Sequence, residues 1–383
     1  MADPASRARP RVLHLHSSFN LGGKEARAVR LMNVWGDRLD HAVVSGVPGM
    51  MGARAAIDAG VPVSFPDAPS LTGRPGLRRF HALARFMAGY DLVLTYNWGA
   101  LDGVMARRLW APFMSLPPLI HHEDGFNEDE AQGLKPARNR YRRVALGAAA
   151  ALVVPSRRLE GIAREAWRQP DARIRLIPNG IEVARYATSP GADAIPGFMR
   201  APGKLVVGTL AGLRAVKNIP RLVRAVAALG DRLQLVVVGE GPEREAIVAE
   251  ARAHGLSDIH MAGFMAEPWR FVGLFDIFAL SSDSEQFPIS LVEAMAAGLP
   301  VVSTDVGDVR DMVSQENQPF VVPVHDEAGL AAALARLAAD VGLRRAVGEA
   351  NRRKAVIGFD EATMIARYAD IYRDALARPD VLH

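Results

Sequence analysis

Ionisable side chains gather at the ends of short apolar runs in this chain. After Leu119 and Ile120 come His121, His122, Glu123 and Asp124 in succession, ahead of Gly125, Phe126 and the acidic stretch Asn127-Glu128-Asp129-Glu130. Such groups are costly to bury unless they meet a ligand or one another. A metal site has the right atoms, but adjacent histidines on a strand point to opposite faces and cannot chelate one ion. Near the N-terminus, His14 and His16 share a strand face, and Gly22, Gly23, Lys24 and Glu25 precede a helical stretch from about Ala26. Paired glycines before a helix let backbone N–H groups approach an anion where the helix dipole also favours negative charge. An ordinary strand-to-helix turn is the plainer alternative. His14 reads as a packed or hydrogen-bonded residue, whereas His16 stands at the strand tip.

A third constellation lies in the second half. Arg214 and Lys217 project from a loop between an apolar run and a helix, where two cations and helix N–H groups suit a diphosphate; taken alone they are a pair of surface cations. Further on, Ser281-Ser282-Asp283-Ser284-Glu285 ends a strand, and a helix beginning near Pro288 stops at Gly298. Proline suits a first helical turn because the N–H it lacks has no partner there. Glu285 then precedes the helix and Glu293 lies one turn in, with the N–H groups of Ile289, Ser290 and Leu291 free between them. Ser290 and Glu293 also have the spacing of a capping box, which leaves Asp283 and Glu285 unexplained. Two carboxylates bracketing an anion-binding helix start suit a ligand with hydroxyls on both sides of a phosphate, as in a nucleotide sugar.

The elements that must position these groups are strands of five to seven residues rich in Val, Ile and Leu, alternating with helical-period stretches, the pattern of a parallel sheet with crossover helices. Strands are expected at residues 11–16, 41–46, 61–65, 91–96, 118–122, 151–156 and 173–178, then at 204–210, 234–239, 258–263, 276–281, 300–304 and 320–324. The fold class is α/β, with two doubly wound Rossmann-like domains facing a central cleft. Residues 1–185 form the first and 204–360 the second. The Pro- and Gly-dense segment 186–203 is expected to join them, and 361–383 to form a C-terminal helix. Ligands in such sheets bind outside the carboxyl ends of the strands.

The 383 residues suffice for two domains with full cores. The absence of Cys removes disulfides, thiol nucleophiles and thiolate metal sites, so any chemistry rests on oxygen, nitrogen and backbone groups. Residues 1–185 carry 26 Lys and Arg against 17 Asp and Glu, an excess of nine, whereas residues 186–383 carry 20 against 25. The basic half includes Arg74, Arg78, Arg79 and Arg85, then Arg138, Arg140, Arg142 and Arg143, runs that suit an anionic lipid, a phosphorylated substrate or simply a solvated helix face. No helix-turn-helix, zinc-finger or RNA-binding aromatic signature accompanies them, so nucleic acid is not an expected partner. Met1 to Arg7 lack the apolar core of a signal peptide, and the longest uncharged apolar stretch, Val144 to Pro155, is shorter than the about 20 residues a bilayer span needs. The expected location is the cytoplasm, at the inner face of the membrane.

Glu285, seven residues, then Glu293 and Ala294-Met295-Ala296-Ala297-Gly298-Leu299-Pro300 together resemble the donor signature of retaining glycosyltransferases of family 4, with the GT-B fold. Gly22-Gly23-Lys24-Glu25, Val154-Pro155-Ser156, Ile177-Pro178-Asn179-Gly180-Ile181, Arg214 with Lys217-Asn218, and Val237 to Glu243 match in order over most of the chain. The resemblance implies a transferase that takes a sugar from a UDP- or GDP-linked donor to a hydroxyl acceptor, such as a lipid-linked glycan or polysaccharide precursor, with retention and without a required metal or other cofactor. It implies that Arg214 and Lys217 neutralise the donor diphosphate, with the N–H groups of Ile289, Ser290 and Leu291 beside them. Glu293 would hold the ribose and Glu285 the sugar. Gly263 and Phe264 would frame the base, and Gly22 and Gly23 would close on the phosphates. His16, Lys24 and Glu25 would meet the acceptor in the first domain, on which the C-terminal helix would pack back. Two departures stand out. Pro288 replaces a common Gly. The acceptor-side histidine can align with His121, His122 or Asp124, of which His121 is preferred. The competing readings are a nucleotide-sugar 2-epimerase on the same architecture, which needs no acceptor, and a catalytically silent nucleotide-sugar-binding subunit. A dinucleotide oxidoreductase is disfavoured because Pro242 directly follows Gly239-Glu240-Gly241. Asp283 and Glu285 could mimic a metal-binding acidic triplet, which EDTA-sensitive activity would reveal.

Overall fold

The computed structural model describes residues 9–74, 76–126, 130 and 133–382. The acidic residues 127–129 and the N-terminal residues 1–8 singled out in the sequence lie outside them. Two parallel sheets carry the chain. The first contains β1 (Arg11–His16), β2 (Asp40–Ser45), β3 (Val63–Ser64), β4 (Leu92–Tyr96), β5 (Leu119–His122), β6 (Ala151–Val154) and β7 (Ile174–Leu176), in the order β3-β2-β1-β4-β5-β6-β7. The second contains β8 (Leu205–Leu210), β9 (Leu233–Val238), β10 (Ile259–Gly263), β11 (Ile277–Leu280), β12 (Val301–Thr304) and β13 (Val321–Val322), in the order β10-β9-β8-β11-β12-β13. This is the doubly wound α/β architecture that the alternating pattern predicts.

Helices α1 (Gly23–Trp35), α2 (Leu77–Met87), α3 (Leu101–Trp110), α4 (Pro136–Ala145) and α5 (Arg157–Glu165) accompany the first sheet. Helices α6 (Ile219–Ala227), α7 (Arg244–Ala253), α8 (Ile289–Ala296), α9 (Val309–Met312), α10 (Glu327–Ala339) and α11 (Val341–Gly358) accompany the second, and α12 (Glu361–Leu376) ends the series. Side-chain caps start several of them. Ser156 accepts from the Leu159 N–H, Asp326 from Gly329 and Asp340 from Leu343, each satisfying an N–H that the helix leaves without a partner. Among the described residues no helix is long and apolar enough to cross a membrane.

Two compact units divide the chain, one reaching up to Ile177 and resuming at Ile365, the other running from Pro178 to Met364. The boundary therefore falls before the segment 186–203 that its composition marks as a connection. Tyr186 and Ile195 of that segment are buried with Phe271, Phe275 and Leu291 in the second unit's core, so it is packed wall. Both sheets are covered on both faces, which explains strands that are apolar throughout. In the first unit Leu13, Leu15 and Val93 pack with α2 and α3, and Val43 packs with Val29 and Met32 of α1 on the other side. Strand order reverses between β1 and β4, and again between β8 and β11. Loops diverge at such switch points and leave a crevice at the strands' carboxyl ends. The polar clusters found in the sequence sit at these two places.

Candidate functional site

In the first unit, parallel register sets His16 beside Tyr96 and Tyr96 beside His122. Aligned residues share one sheet face, and the three rings stack, with centroids 4.0 and 4.6 Å apart. His14 lies one step back, its Nδ1 3.1 Å from the Tyr96 hydroxyl and its Nε2 2.9 Å from Nδ1 of His41. Tyr372 of α12 brings its hydroxyl to 3.3 Å from His122 Nε2. Burial holds all four imidazoles neutral. It lowers His122 to about 3 and His41 to about 4, and it pushes His14 and His16 well below the usual range. Both ring nitrogens of His16 are buried without a hydrogen-bond partner among the described residues, although Lys24 and Arg27 are near enough to bear on its charge.

His121 faces the other way. Its Nδ1 is 2.8 Å from Thr95 Oγ1, and its Nε2 is 3.6 Å from Glu123, which also lies 3.5 Å from Arg142 Nε. His121 and His122 are thus both sealed in the sheet, on opposite faces, and the preference for His121 as the acceptor-side group finds no support in its surroundings. Asp124 comes next in the chain and keeps 13% of its side chain accessible. Its backbone N–H donates to Asn97 Oδ1 at 2.8 Å, and both guanidinium NH₂ groups of Arg27 grip its carboxylate, one at 2.8 Å. Burial alone would raise this carboxyl, but the Arg27 charge and hydrogen bonds outweigh it and hold Asp124 below the ordinary carboxylate range. Lys24 is ion-paired with Glu25, whose carboxylate lies against the Gly22 turn at the start of α1. A cavity of about 550 Å³ opens beside the carboxyl ends of β2 and β3, lined by Ser45, Gly46, Met51, Phe65 and Leu71 among others.

The second unit gathers its polar groups on two loops. The loop after β8 supplies Arg214 and Lys217, and the loop after β11 supplies Ser282, Asp283 and Glu285. Lys217 Nζ lies 2.5 Å from Glu285 Oε1, which also accepts from Ser282 Oγ at 2.7 Å. Asn218 adopts a left-handed conformation, caps α6 through its Oδ1 and donates from Nδ2 to Asp283. Arg221 donates to the same carboxylate at 2.7 Å. Each acidic group is therefore engaged by a basic or amide partner, unlike a vacant acidic triplet. Arg214 is exposed and makes no side-chain hydrogen bond or ion pair among the described residues. Beyond Pro288, which caps α8 in an extended conformation, the Leu291 N–H donates back to the Pro288 carbonyl at 3.2 Å. That corrects the expectation of three free N–H groups to Ile289 and Ser290 alone. Ser290 lies inside the helix and makes no cap, so the capping-box alternative falls. Glu293 is pushed up to about 7 by burial, partly opposed by a hydrogen bond from Tyr186. Gly263 ends β10 with a positive φ of 76° beside Glu240, and the next residue, Phe264, is 76% exposed.

The structure thus brings Lys217 together with Glu285, and Asp124 close to Lys24, while His121 and His122 part. The four-arginine run of α4 also divides. Arg142 is fully buried, bonded to both oxygens of Glu130 and set among Trp98, Phe126 and Trp167, while Arg140 and Arg143 are exposed. Arg27, Asn97 and Tyr186 escaped the sequence reading. An arginine amid the apolar face of α1 was the available sign for Arg27. Among the described residues no three His, Asp or Glu groups are arranged to hold a metal ion.

Two Rossmann-like units, each with charged loops at its switch point, are the architecture of the GT-B fold. The family model Glycosyltransferase Family 4 matches residues 21–185 and Glycosyl transferases group 1 matches residues 197–354. The chain belongs to these family 4, group 1 glycosyltransferases and has their GT-B fold. It is 25% identical over 211 residues to the N-acetyl-alpha-D-glucosaminyl L-malate synthase of Bacillus anthracis, covering 54% of this chain and 55% of that one. It is 26% identical over 317 residues to the D-inositol 3-phosphate glycosyltransferase of Streptomyces bingchenggensis, covering 75% and 67%. Matches to the first curated relatives span 36% and 55% of their length. Among solved structures, Anabaena Alr3699/HepE in complex with UDP superposes with a TM-score of 0.77 at 20% identity, covering 95% of this chain and all of that one.

Proposed function

We propose that the protein is a retaining glycosyltransferase that moves a sugar from a nucleoside-diphosphate sugar to a hydroxyl of a glycan or lipid-linked acceptor, in the assembly of a polysaccharide or its precursor. The observation that carries this is the β8–β11 switch point, where Lys217 of the loop after β8 is ion-paired with Glu285 of the loop after β11, and Arg214 on the first of these loops stands exposed without a side-chain partner among the described residues. A departing nucleoside diphosphate gathers negative charge as the sugar gains oxocarbenium character. Arg214, Lys217 and the N–H groups of Ile289 and Ser290 would meet that charge, and such preorganised donors are each worth roughly 3 kcal/mol. Glu293 would hold the ribose, Glu285 the sugar, and Gly263 with Phe264 the base. The leaving phosphate would help to deprotonate the acceptor. In the first unit, Gly22, Gly23, Lys24, Glu25 and His16 would serve the ligands, with Asp124 as the acceptor-side group. The UDP bound by the Anabaena structure supports a nucleotide donor.

A thermal-shift screen with UDP-, GDP- and ADP-sugars, followed by mass spectrometry of products with and without octyl glycosides, tests the proposal. Stabilisation by one nucleotide class and an acceptor-dependent product are expected. An acceptor-independent epimer would support the epimerase reading instead, and the absence of any shift would overturn the donor site. Activity in EDTA tests metal independence. The inner membrane face is a further element of the proposal. Arg78, Arg85, Arg108, Arg140 and Arg143 are exposed without ion pairs among the described residues, and Leu77 and Phe113 are 70% and 79% exposed. Such a surface favours anionic lipid. Salt-sensitive sedimentation with phosphatidylglycerol vesicles, and none with phosphatidylcholine, is the expected result; no binding at low salt would argue for a soluble acceptor.

A further inference from the structure

At the end of β5 the chain carries an acid where two histidines precede it, and the acid is held in an unusual way. Arg27, projecting from α1 and nearly buried, bonds both oxygens of Asp124, and its guanidinium lies 5.6 Å from the Tyr368 ring centroid of α12. The backbone is fixed as well. Asn97, at the end of β4, takes a positive φ of 55°, donates its N–H to the His122 carbonyl at 2.8 Å, and accepts the Asp124 N–H on its side chain. A non-glycine residue in that region stores strain that persists only where neighbours over-determine it. Three elements therefore converge to place one carboxylate. An ionised carboxylate has about four lone-pair directions, and the arginine fork engages one on each oxygen of a side chain that stays 13% accessible, so acceptor capacity is left over.

From this geometry we infer that Arg27 is a positioning residue, whose two-bond grip aims the Asp124 carboxylate so that Asp124 takes the hydrogen bond of the acceptor hydroxyl. The inference rests on the glycosyl-transfer reading above. The groups facing Asp124 are Arg27 and Lys24 from the start of α1, His122 from β5, Tyr96 from β4 and Tyr368 from α12. Of these, Arg27 and Lys24 are the charged cations, since His122 is kept neutral by burial and the phenols are raised by it. Removing the guanidinium leaves burial to act on Asp124, and burial raises a carboxyl.

The test compares wild type with Arg27→Gln and Arg27→Lys, each checked for folding by circular dichroism. Transfer is followed from the nucleotide sugar selected in the thermal screen to octyl glycosides, between pH 5 and 9. At saturating donor, where the Glu293 titration no longer limits the rate, the wild-type acceptor KM is expected to stay constant down to pH 5. Arg27→Gln should raise acceptor KM at least tenfold and bring an acid limb up above pH 5. Arg27→Lys should restore the flat limb while kcat stays several-fold low, because one ammonium cannot reproduce the fork. A folded Arg27→Gln protein with the wild-type acceptor KM and pH profile would overturn the inference. A second readout needs no substrate. The ¹³C carboxyl resonance of Asp124, assigned with Asp124→Asn, should titrate higher in Arg27→Gln, and an unmoved titration would also overturn it. Absence of transfer by wild type with every donor would instead count against the glycosyl-transfer reading, while the resonance still reports on the grip.

Discussion

Lys217 and Glu285 meet across the switch point of the second sheet, their charged atoms 2.5 Å apart although 68 residues separate them. With side chains 15% and 10% exposed, the pair is largely shielded from water, so it resists salt screening better than a surface pair would. A diphosphate arriving at Lys217 must share the ammonium with Glu285. Glu285→Gln should therefore tighten binding of the free nucleoside diphosphate by about fivefold, roughly 1 kcal/mol, while transfer should fall under the proposal that Glu285 holds the sugar. Isothermal calorimetry with the selected nucleotide checks this, and weaker binding in the variant would contradict the shared-ammonium picture.

Arg214→Ala and Lys217→Ala should each lower turnover by about 100-fold, the usual cost of one preorganised donor to a developing anion. Arg214→Ala should leave the melting temperature nearly unchanged, because Arg214 has no side-chain partner among the described residues, whereas Lys217→Ala should lower it by leaving the shielded Glu285 carboxylate with Ser282 alone. Near-normal rates in both variants would remove the diphosphate from this place.

Glu293 gives the second unit a pH dependence of definite sign. Its folded value of about 7 lies above an ordinary carboxyl at 4.5 because burial disfavours the charge, against a smaller opposing hydrogen bond from Tyr186. A group raised on folding contributes stability that is full below its unfolded value and is lost as pH rises through its folded value. Glu293→Gln, neutral throughout, should melt several degrees above wild type at pH 8.5, with the gap closing toward pH 5. Under the proposal that Glu293 holds the ribose, its hydroxyls would donate to the ionised form, so nucleotide affinity in wild type should rise between pH 6 and 8. A melting gap that widens on acidification would refute the assignment.

What could be read in advance follows from the range of the interactions involved. Buried parallel strands are local apolar runs, so β1, β8 and β9 fall where Val and Leu cluster. The edge strands β3 and β13 pair over only two residues, shorter than the apolar runs 61–65 and 320–324 suggest, whereas the edge strand β10 keeps all five of its residues. The donor-side loops were legible because Glu285 and Glu293 lie on one continuous strand–loop–helix segment. The grip of Arg27 on Asp124 was not, since 97 residues separate the partners and only the sheet order brings α1 to the end of β5. Segment 186–203 misled for a similar reason. Its Pro and Gly content describes the backbone, while its burial depends on Phe271 and Phe275 far along the chain.

Gly239 shows how tightly the donor loops interlock. Its φ of 141° excludes ordinary side chains, and a Cβ there would stand 1.8 Å from the Ala211 carbonyl oxygen on the neighbouring loop. Gly239→Ala should lower the melting temperature by roughly 6–12 °C, corresponding to about 3 kcal/mol. Wild-type melting would mean that the two loops are not in contact.

Arg142 offers a separate test, in the first unit, of whether the basic run is surface or interior. Its guanidinium bonds both oxygens of Glu130, whose side chain is 1% exposed, and approaches Glu123 at 3.5 Å. Arg142→Met preserves the apolar stem but leaves two buried carboxylates without their shared cation, a loss of about 3–5 kcal/mol. Burial works to raise Glu130, yet its bonds from Arg142 and Arg138 hold it below the ordinary range. A depressed carboxyl gives stability present above its unfolded value and lost as pH falls through its folded one. The Arg142→Met penalty should therefore be full at pH 7 and shrink below about pH 4, where Glu130 can accept a proton. Arg140→Met, on the exposed face of the same helix, should cost less than about 0.5 kcal/mol. Equal effects of the two substitutions on urea unfolding would return Arg142 to the solvated face that its neighbours in sequence suggest.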